Sequence, residues 1–486
     1  MNGSRMTRWI QDWLQGGAAA ATARARAKLL RHVWPPPLLE ALGRLREGGH
    51  RAYLVGGTVR DVLLGRGATG AWDVATDLVP EQVAARFARV EPTGLRHGTV
   101  LVLENDLQLE CTTFRREGAY SDARRPDFVE YSREPLEDLE RRDLTVNAMA
   151  WDPETEELLD PHGGARDLER HRLRAVGEPL QRFREDALRP LRVARLAATL
   201  EMKPDAGLDA AMAVLASGDS GVQVGAVSAE RVRDELFKLL EAPKPSVGFE
   251  ILREAGLLAV WLPELARCRG VRQNRFHAYD VYFHSLYTCD AAPAAKAVVR
   301  WAALLHDIGK PDTFVERKGE GTFYDHASVG ADLAEGLLSR QHVAGETRAA
   351  IVHLVREHMF DYRTAWSDAA VRRWIRRVRP EHLADLFDLR IADRLGNGLR
   401  QGFPTYLQEM RARIERVLEE SRALDVRDLA VDGHDVMREM GIEAGPQVKH
   451  ALEELLEEVL DRPERNTREH LLSRLRERRE ADAGTS

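Results

Sequence analysis

Hydrophobic and polar positions change period along the chain. Between about Gly48 and Arg172, short apolar or alternating runs are separated by turn residues: Arg51–Val55, Trp72–Ala75, Gly98–Leu103, Leu107–Phe114 and Phe128–Tyr131. Runs of this length and pattern read as strands. From Leu180 onward apolar residues recur at helical spacing, and Pro243, Pro245, Pro263, Pro311, Pro380, Pro404 and Pro446 punctuate that region. The expected fold class is therefore α+β, a small mixed-sheet head followed by an all-helical neck, body and tail. The divisions fall at 1–34 (a basic N-terminal extension), 35–172 (the head), 173–270 (the neck), 271–400 (the body) and 401–486 (the tail).

Composition narrows this picture slightly. The 486 residues correspond to roughly two to four domains at about 150 residues each. An apolar fraction of 44% with 31% charged residues fits a packed globular chain rather than a disordered one. No apolar run approaches the roughly 20 residues of a membrane helix, so no membrane association is expected. Cys111, Cys268 and Cys289 are far apart, which points to a reducing, cytoplasmic setting. The net charge of -7 does not exclude RNA, because binding depends on local patches. Two stretches are locally basic, Gln181–Arg195 and Val371–Arg379. Such runs are more often solvated helix faces, although the motifs beside them raise the odds of an RNA role.

The chemistry begins at Tyr53-Leu54-Val55-Gly56-Gly57-Thr58-Val59-Arg60-Asp61. A buried strand runs into two glycines, which allow a sharp turn and close approach to a ligand. A helix N-terminus follows, a natural seat for phosphate. A second short strand brings the carboxylate of Asp73 beside it. Phosphate seat plus carboxylate is the minimum kit for metal-assisted phosphoryl or nucleotidyl transfer. Farther on, Asp186 and Arg189 stand at i and i+3 of an expected helix and share a face. A carboxylate accepts from the exocyclic amine of C or A, and a guanidinium donates to ring and carbonyl acceptors. Together they suit a template that selects C and A over U and G; the bland alternative is a surface ion pair. Arg192 and Arg195 continue the stripe toward phosphates or an RNA end. Pro190 inside this helix should bend or open it. A second candidate site is His306-Asp307, which offers imidazole and carboxylate to one divalent metal.

These motifs resemble those of the class II tRNA nucleotidyltransferases, the CCA-adding enzymes and their bacterial poly(A) polymerase relatives. The likeness lies in GG-x-VRD-x-LLG (Gly56 to Gly65), the Trp72-Asp73-Val74-Ala75-Thr76 segment, RRD-x-T-x-NA (Arg141 to Ala148), Asp160-Pro161-His162-Gly163-Gly164 and E-D-x-x-R (Glu185, Asp186, Arg189). It implies addition of C, C and A to the tRNA 3′ end from CTP and ATP, by two-metal nucleotidyl transfer. Asp73 and Glu110 would be the catalytic carboxylates and hold Mg²⁺, Glu110 by analogy with a family strand that supplies a further acid. Gly56, Gly57, Arg60, Arg142, Asp143, Asn147, Asp186, Arg189, Arg192 and Arg195 would bind nucleotide.

The family's first metal-binding Asp is here Ala71. That departure implies weakened metal binding and impaired catalysis, and it reads as an introduced substitution or a divergent copy, the intact remainder favouring the former. Residues 116–129 resemble the loop that helps CCA-adding enzymes switch from CTP to ATP, which argues against an enzyme adding only the terminal A. Glu230–Leu236 also resembles a family motif and is expected to shape the neck. The order of His284, His306-Asp307 and Asp393 resembles the HD phosphohydrolases. It implies a metal set of those four residues, with Ni²⁺, Mn²⁺ or Mg²⁺, and accessory phosphatase or phosphodiesterase activity. His326 and His358 are candidates for a second metal or for phosphate, and His353 lies nearby in sequence. The tail from Asp428 to Pro446 resembles the tRNA-contacting region, and no obligatory protein partner is evident. The alternatives are a poly(A) polymerase, or a tRNA-binding protein with HD hydrolase activity alone.

Overall fold

The computed structural model describes residues 3–67, 71–94, 98–117, 129–317, 320–360, 362–399, 402, 405–420 and 424–484. The chain forms two compact units, Met1–Pro263 and Glu264–Ser486. The expected α+β class holds, with a mixed sheet in the head and helices thereafter. Most of the loop expected at 116–129 lies outside the described residues.

In the first unit, the basic extension is the helix Gly3–Arg31. It docks on the head: Leu29 is fully buried, Thr22 donates to Asp160 and Arg24 pairs with Glu169. The sheet uses β1 (Ala52–Val55), β2 (Trp72–Thr76), β3 (Val90–Gly94), β4 (Thr99–Glu104) and β5 (Leu107–Thr113). A separate ribbon pairs β6 (Arg115–Glu117) with β7 (Val129–Tyr131), and β8 (Ala150–Asp152) and β9 (Glu157–Leu159) complete the sheet. Its order is β3-β4-β5-β2-β1-β8-β9. Within this sheet, among the described residues, only β2 and β5 run parallel, in a register that sets Asp73 beside Glu110. Residues paired in register share a face, so the sheet itself brings these two carboxylates together. Strands β3, β8 and β9 carried no clear alternation and were not expected, and β6 begins the stretch 116–129 that reads as too irregular for a strand.

The neck corrects one sequence expectation. Asp186 and Arg189 do not lie on one continuous helix. The helix Pro179–Glu185 ends at Asp186, which is extended (φ -145°, ψ 107°), and a new helix, Arg189–Leu200, begins three residues later. Pro190 therefore bends nothing; it occupies the first turn, where its missing N–H has no helical partner to lose. The helix Ala229–Leu240 packs against Arg189–Leu200, as the neck-shaping reading of that motif expected.

The second unit is helical except for a hairpin, Phe314–Arg317 with Glu320–Phe323, inside a stretch expected to be all helix. The body helices used below are Val281–Ala291, Ala297–Leu305, His326–Arg340, Gly345–Glu357 and Leu383–Gly396. The tail buries Val436, Leu456, Leu460 and Leu471 in a core of its own. The basic stretch Val371–Arg379 turns out to be largely occupied. Arg372 is buried and donates to the Leu460 carbonyl, Arg373 and Arg376 pair with Glu457, and Arg377 pairs with Glu357. Those arginines fasten helices to one another. Among the described residues no helix is long and apolar enough to cross a membrane. All three cysteines are buried and free.

Candidate active sites in the head and the helical body

The head site starts with the two glycines. Gly56 has φ +61°, and a Cβ there would lie 2.8 Å from the Arg142 guanidinium and 3.3 Å from the Asp73 carboxylate. Only glycine combines that backbone angle with that closeness. The Gly57 N–H donates to Asp73 at 3.0 Å, and the Asp73 N–H donates to the Thr58 hydroxyl at 2.9 Å. The glycine turn thus orients the carboxylate directly. Partial burial raises the Asp73 carboxyl, opposed by Arg142 and the Gly57 N–H. Burial and the neighbouring Asp73 raise Glu110, opposed by Lys238. Two adjacent acids that both resist ionisation are what a divalent cation would relieve. The pair fits such an ion, although the head contributes no group of three converging donors among the described residues. Ala71 stands two residues before Asp73, at the bend that leads into β2.

Around the pair is a cleft of about 740 Å³, lined by nine cationic side chains and four carboxylates. That excess suits a polyphosphate. Arg60 is fixed by both oxygens of Asp61 and donates to Asn147 at 2.6 Å. Arg142 is held by Asp138 and reaches the Asn147 carbonyl. Asp138 is 1% exposed and grips both Arg141 and Arg142; the sequence reading missed it, although its i,i+3 and i,i+4 spacing to two arginines was a signal. Asp143 accepts from Arg192 at 2.8 Å and from Asn147 at 3.2 Å. Burial alone would raise its pKa, but Arg192 and Arg189 hold it below the usual carboxylate range. Asp143 therefore serves Arg192 and the Asn147 turn rather than standing free.

At the helix break, Asp186 accepts from Arg231 at 2.7 Å, and Arg189 is held by Glu185 at 2.6 Å and by the Arg141 carbonyl. Arg195 donates to Glu235 at 2.5 Å. Arg231, Glu235 and Lys238 all come from the helix Ala229–Leu240. Arg231 and Lys238 line the cleft and Glu235 holds Arg195 beside it; none was expected there, because sequence spacing does not reveal which helix packs across it. Asp73, Glu110 and every residue assigned to nucleotide binding from the sequence line this cleft, whereas Glu185 of the E-D-x-x-R motif does not.

The body site is built by close helix contacts. A Cβ on Gly396 would collide with the backbone of Thr288, so glycine lets Leu383–Gly396 lie against Val281–Ala291. This sets Asp393 Oδ1 3.1 Å from His284 Nε2. A Cβ on Gly309 would collide with the His326 carbonyl, so the Gly of His306-Asp307-Ile308-Gly309 lets the next helix approach. His284 and His306 meet at 3.2 Å and His326 and His358 at 3.3 Å, each through Nε2. All five residues around Asp307 are nearly or fully buried except Asp393, which is 20% exposed at its side chain. Of the named metal set, His284, His306 and Asp307 converge as one donor group that fits a divalent ion, and Asp393 joins them at His284. His326 and His358 converge on the other oxygen of Asp307. His353 does not join them; it faces the Val378 carbonyl and His382.

Burial would raise Asp307, yet His306 and Lys310 hold it well below the usual range. Burial pushes His358 down to about 3 and lowers His326, so both rings are neutral at ordinary pH. Lys310 donates to Asp307 at 2.6 Å and to Gln273 at 2.7 Å. The site opens into a cleft of about 590 Å³ lined by Arg390, Tyr362 and Tyr406 among others. His277, whose ring is 5.4 Å from that of His284, is a lining residue the sequence reading passed over.

Comparison with known proteins matches both the head and the helical body to family models. Residues 52–174 match the Poly A polymerase head domain and 276–398 the HD domain. Residues 209–268 match a model described as "Probable RNA and SrmB- binding site of polymerase A", and 405–475 match a domain 2 of tRNA nucleotidyltransferases. The chain is 33% identical over 462 residues to the CCA-adding enzyme of Geobacillus stearothermophilus, covering 91% of this chain and 98% of that one. It is 34% identical over 417 residues to the A-adding tRNA nucleotidyltransferase of Deinococcus radiodurans, covering 84% and 91%. Its fold is similar to the crystal structure of the Bacillus stearothermophilus CCA-adding enzyme in complex with CTP. That match has a TM-score of 0.70 and 28% identity over 93% of this chain and all of the other.

Proposed function

Because the chain belongs to the family of CCA-adding and related tRNA nucleotidyltransferases, we propose that it adds C, C and A to the tRNA 3′ end from CTP and ATP. The observation that carries this reading is the Asp73–Glu110 pair, in register on parallel strands at the floor of a cation-rich cleft. Mg²⁺ held by these two carboxylates would supply the Lewis acid for attack of the tRNA 3′-hydroxyl on the nucleotide α-phosphate, with pyrophosphate leaving. Arg60, Arg142 and Arg192 are positioned by Asn147, Asp138 and Asp143 and would neutralise the triphosphate. Asp186 and Arg189 would read the base edge, each held in place by a partner, Arg231 and Glu185. Base selection of this kind needs fixed donors and acceptors, and a helix break supplies them better than a mobile surface pair.

Ala71 leaves the metal pair one carboxylate short of the family pattern, so turnover is expected to be impaired. The helical body would add metal-dependent hydrolysis of terminal or 2′,3′-cyclic phosphates through His284, His306, Asp307 and Asp393, and the tail would contact tRNA. The test is incorporation of labelled CTP and ATP, with UTP and GTP as controls, into tRNA ending before CCA, followed by sequencing of the new 3′ ends. Ends reading C-C-A support the proposal. Addition of A alone favours the terminal-A enzymes exemplified by the 34% identical relative. Runs of A favour a poly(A) polymerase. No incorporation, with phosphatase turnover and tRNA binding retained, favours the hydrolase-only reading.

A further inference from the structure

We propose that the N-terminal helix Gly3–Arg31 and the residues just after it form a buttress for the nucleotide site of the head, with Lys28 and Trp34 as positioning residues. The inference rests on the reading of the head cleft as a site for CTP and ATP. It adds to that site a segment outside the matched head domain, which begins at residue 52. Ala21, Ala25 and Leu29 are buried at i, i+4 and i+8, one face of the helix, so a continuous stripe seats it on the head. Three of its attachments then land on elements that carry or hold site residues.

The first attachment is to the helix Gly56–Leu63, whose opening glycines form the phosphate seat and hold Asp73 through the Gly57 N–H. At eight residues this helix is too short to be stable by itself. Its last turn leaves carbonyls without helical partners. Lys28 Nζ donates to one of them, that of Leu63, at 2.5 Å, and its charge complements the negative end of the helix dipole. The bond at one end matters at the other. Such a helix is roughly 12 Å long, so a tilt of about 5° would move its glycine end by about 1 Å, a displacement that can cost on the order of 10²-fold in rate.

The second attachment is to β2. The buried Trp34 meets Trp72 edge to face, with ring centroids 6.1 Å apart and planes at 60°, a favoured aromatic geometry. Trp72 is the residue before Asp73. The third attachment runs through a turn. The Thr22 hydroxyl lies 3.0 Å from the Asp160 carboxylate, which accepts from the N–H groups of Gly164 and Ala165 at 2.6 and 3.1 Å. Gly164 packs so closely on the Thr145 carbonyl that a Cβ would collide with it. The turn Thr145–Asn147 in turn presents Asn147, which holds Arg60. The glycine seat, Asp73 and the Asn147–Arg60 pair are thus all tied to one N-terminal segment. A site that must be held to about 0.5 Å depends on such support behind its contact residues.

The test measures CTP affinity in the presence of Mg²⁺ by titration calorimetry. It uses the full chain, Lys28→Met, Lys28→Arg, Trp34→Ala and the combination of Lys28→Met with Trp34→Ala, each with a thermal melt. Lys28→Met keeps the side-chain stem and removes the donor. The expected result for it is a Kd about two- to fivefold weaker, restored by Lys28→Arg. The combined variant should weaken Kd by about tenfold or more, with faster hydrogen exchange in peptides covering 56–64 and 71–76. Lys28 is exposed, so the Lys28→Met result decides the matter even where Trp34→Ala unfolds. Affinity unchanged in Lys28→Met and in the folded combined variant, whether or not the melting temperature falls, overturns the buttress and leaves the head reading intact. A parent chain that binds no CTP overturns the head reading and the buttress with it.

Discussion

In the head cleft four carboxylates, two of them the Asp73–Glu110 pair, face nine cationic side chains, whereas in the body four imidazoles and two carboxylates close on one another, with Lys310 and Arg390 among the cationic neighbours. Both arrangements suit divalent ions, but they divide the work differently. The head leaves most of the charge neutralisation to arginines held by buried acids such as Asp138 and Asp143, and few donors remain for metal. The body supplies donors from five helices or helix ends and depends on glycine contacts to bring them together. On the proposed reading, a missing donor matters more in the head, where Ala71 leaves two, than it would in the body.

The sharpest way to break this comparison is to disable each site in turn. Asp73→Asn should lower nucleotide incorporation by at least about 10²–10³-fold, the scale of losing one transition-state contact to developing charge, and leave phosphate-ester hydrolysis unchanged. Asp307→Asn should do the reverse. Incorporation and hydrolysis rates measured on both variants decide it; a fall of both activities in either variant would show that the sites are not separate.

The largest effects thus fall on residues the sequence made legible, and the reason is physical. Gly56, Asp73 and Asp307 sit in short segments whose local needs, a positive-φ glycine or an adjacent His-Asp, are written in consecutive residues. The alternation of Leu107–Thr113 revealed that Glu110 opposes Leu109 in facing. What the sequence hid depends on distant packing. Arg231 and Lys238 reach the cleft only because one neck helix lies across another, and the break at Asp186 shows only as Pro190, which reads equally well as a kink. The arginines of Val371–Arg379 looked free for RNA because their partners Glu457 and Leu460 lie more than 80 positions away.

A subtler effect belongs to Arg231. Arg231→Ala should release the Asp186 carboxylate and relax base choice. Incorporation of C and A relative to U and G should fall by about tenfold, within the roughly 1–3 kcal/mol assigned to a good base contact, while total incorporation changes less. Competition assays with mixed nucleotides measure it; an unchanged ratio would assign Arg231 to packing alone.

The smallest effect is one of stability and touches neither site. In the tail, Arg468, Arg438 and the Asp432 turn hold Asp435 at about 2, below its usual 3.8. Burial would raise Glu458, but His470, Arg465 and Arg474 bring it to about 2, below 4.5. Folded pKa values below the unfolded ones mean that the stabilisation is complete above about pH 4.5 and is lost as pH falls toward 2. Thermal melts across that range should show the tail weakening, and Asp435→Asn with Glu458→Gln should flatten the dependence.

The central claim is that the head is a nucleotidyltransferase site lacking one carboxylate. Its most direct test is the rate of labelled CTP and ATP incorporation into tRNA ending before CCA, compared between this chain and Ala71→Asp. The account predicts a large gain for Ala71→Asp, on the order of 10²-fold, with the products ending in C-C-A. Equal rates would mean that Asp73 and Glu110 suffice and that the missing carboxylate is no defect. No incorporation by either would contradict the assignment of the head as a working transferase.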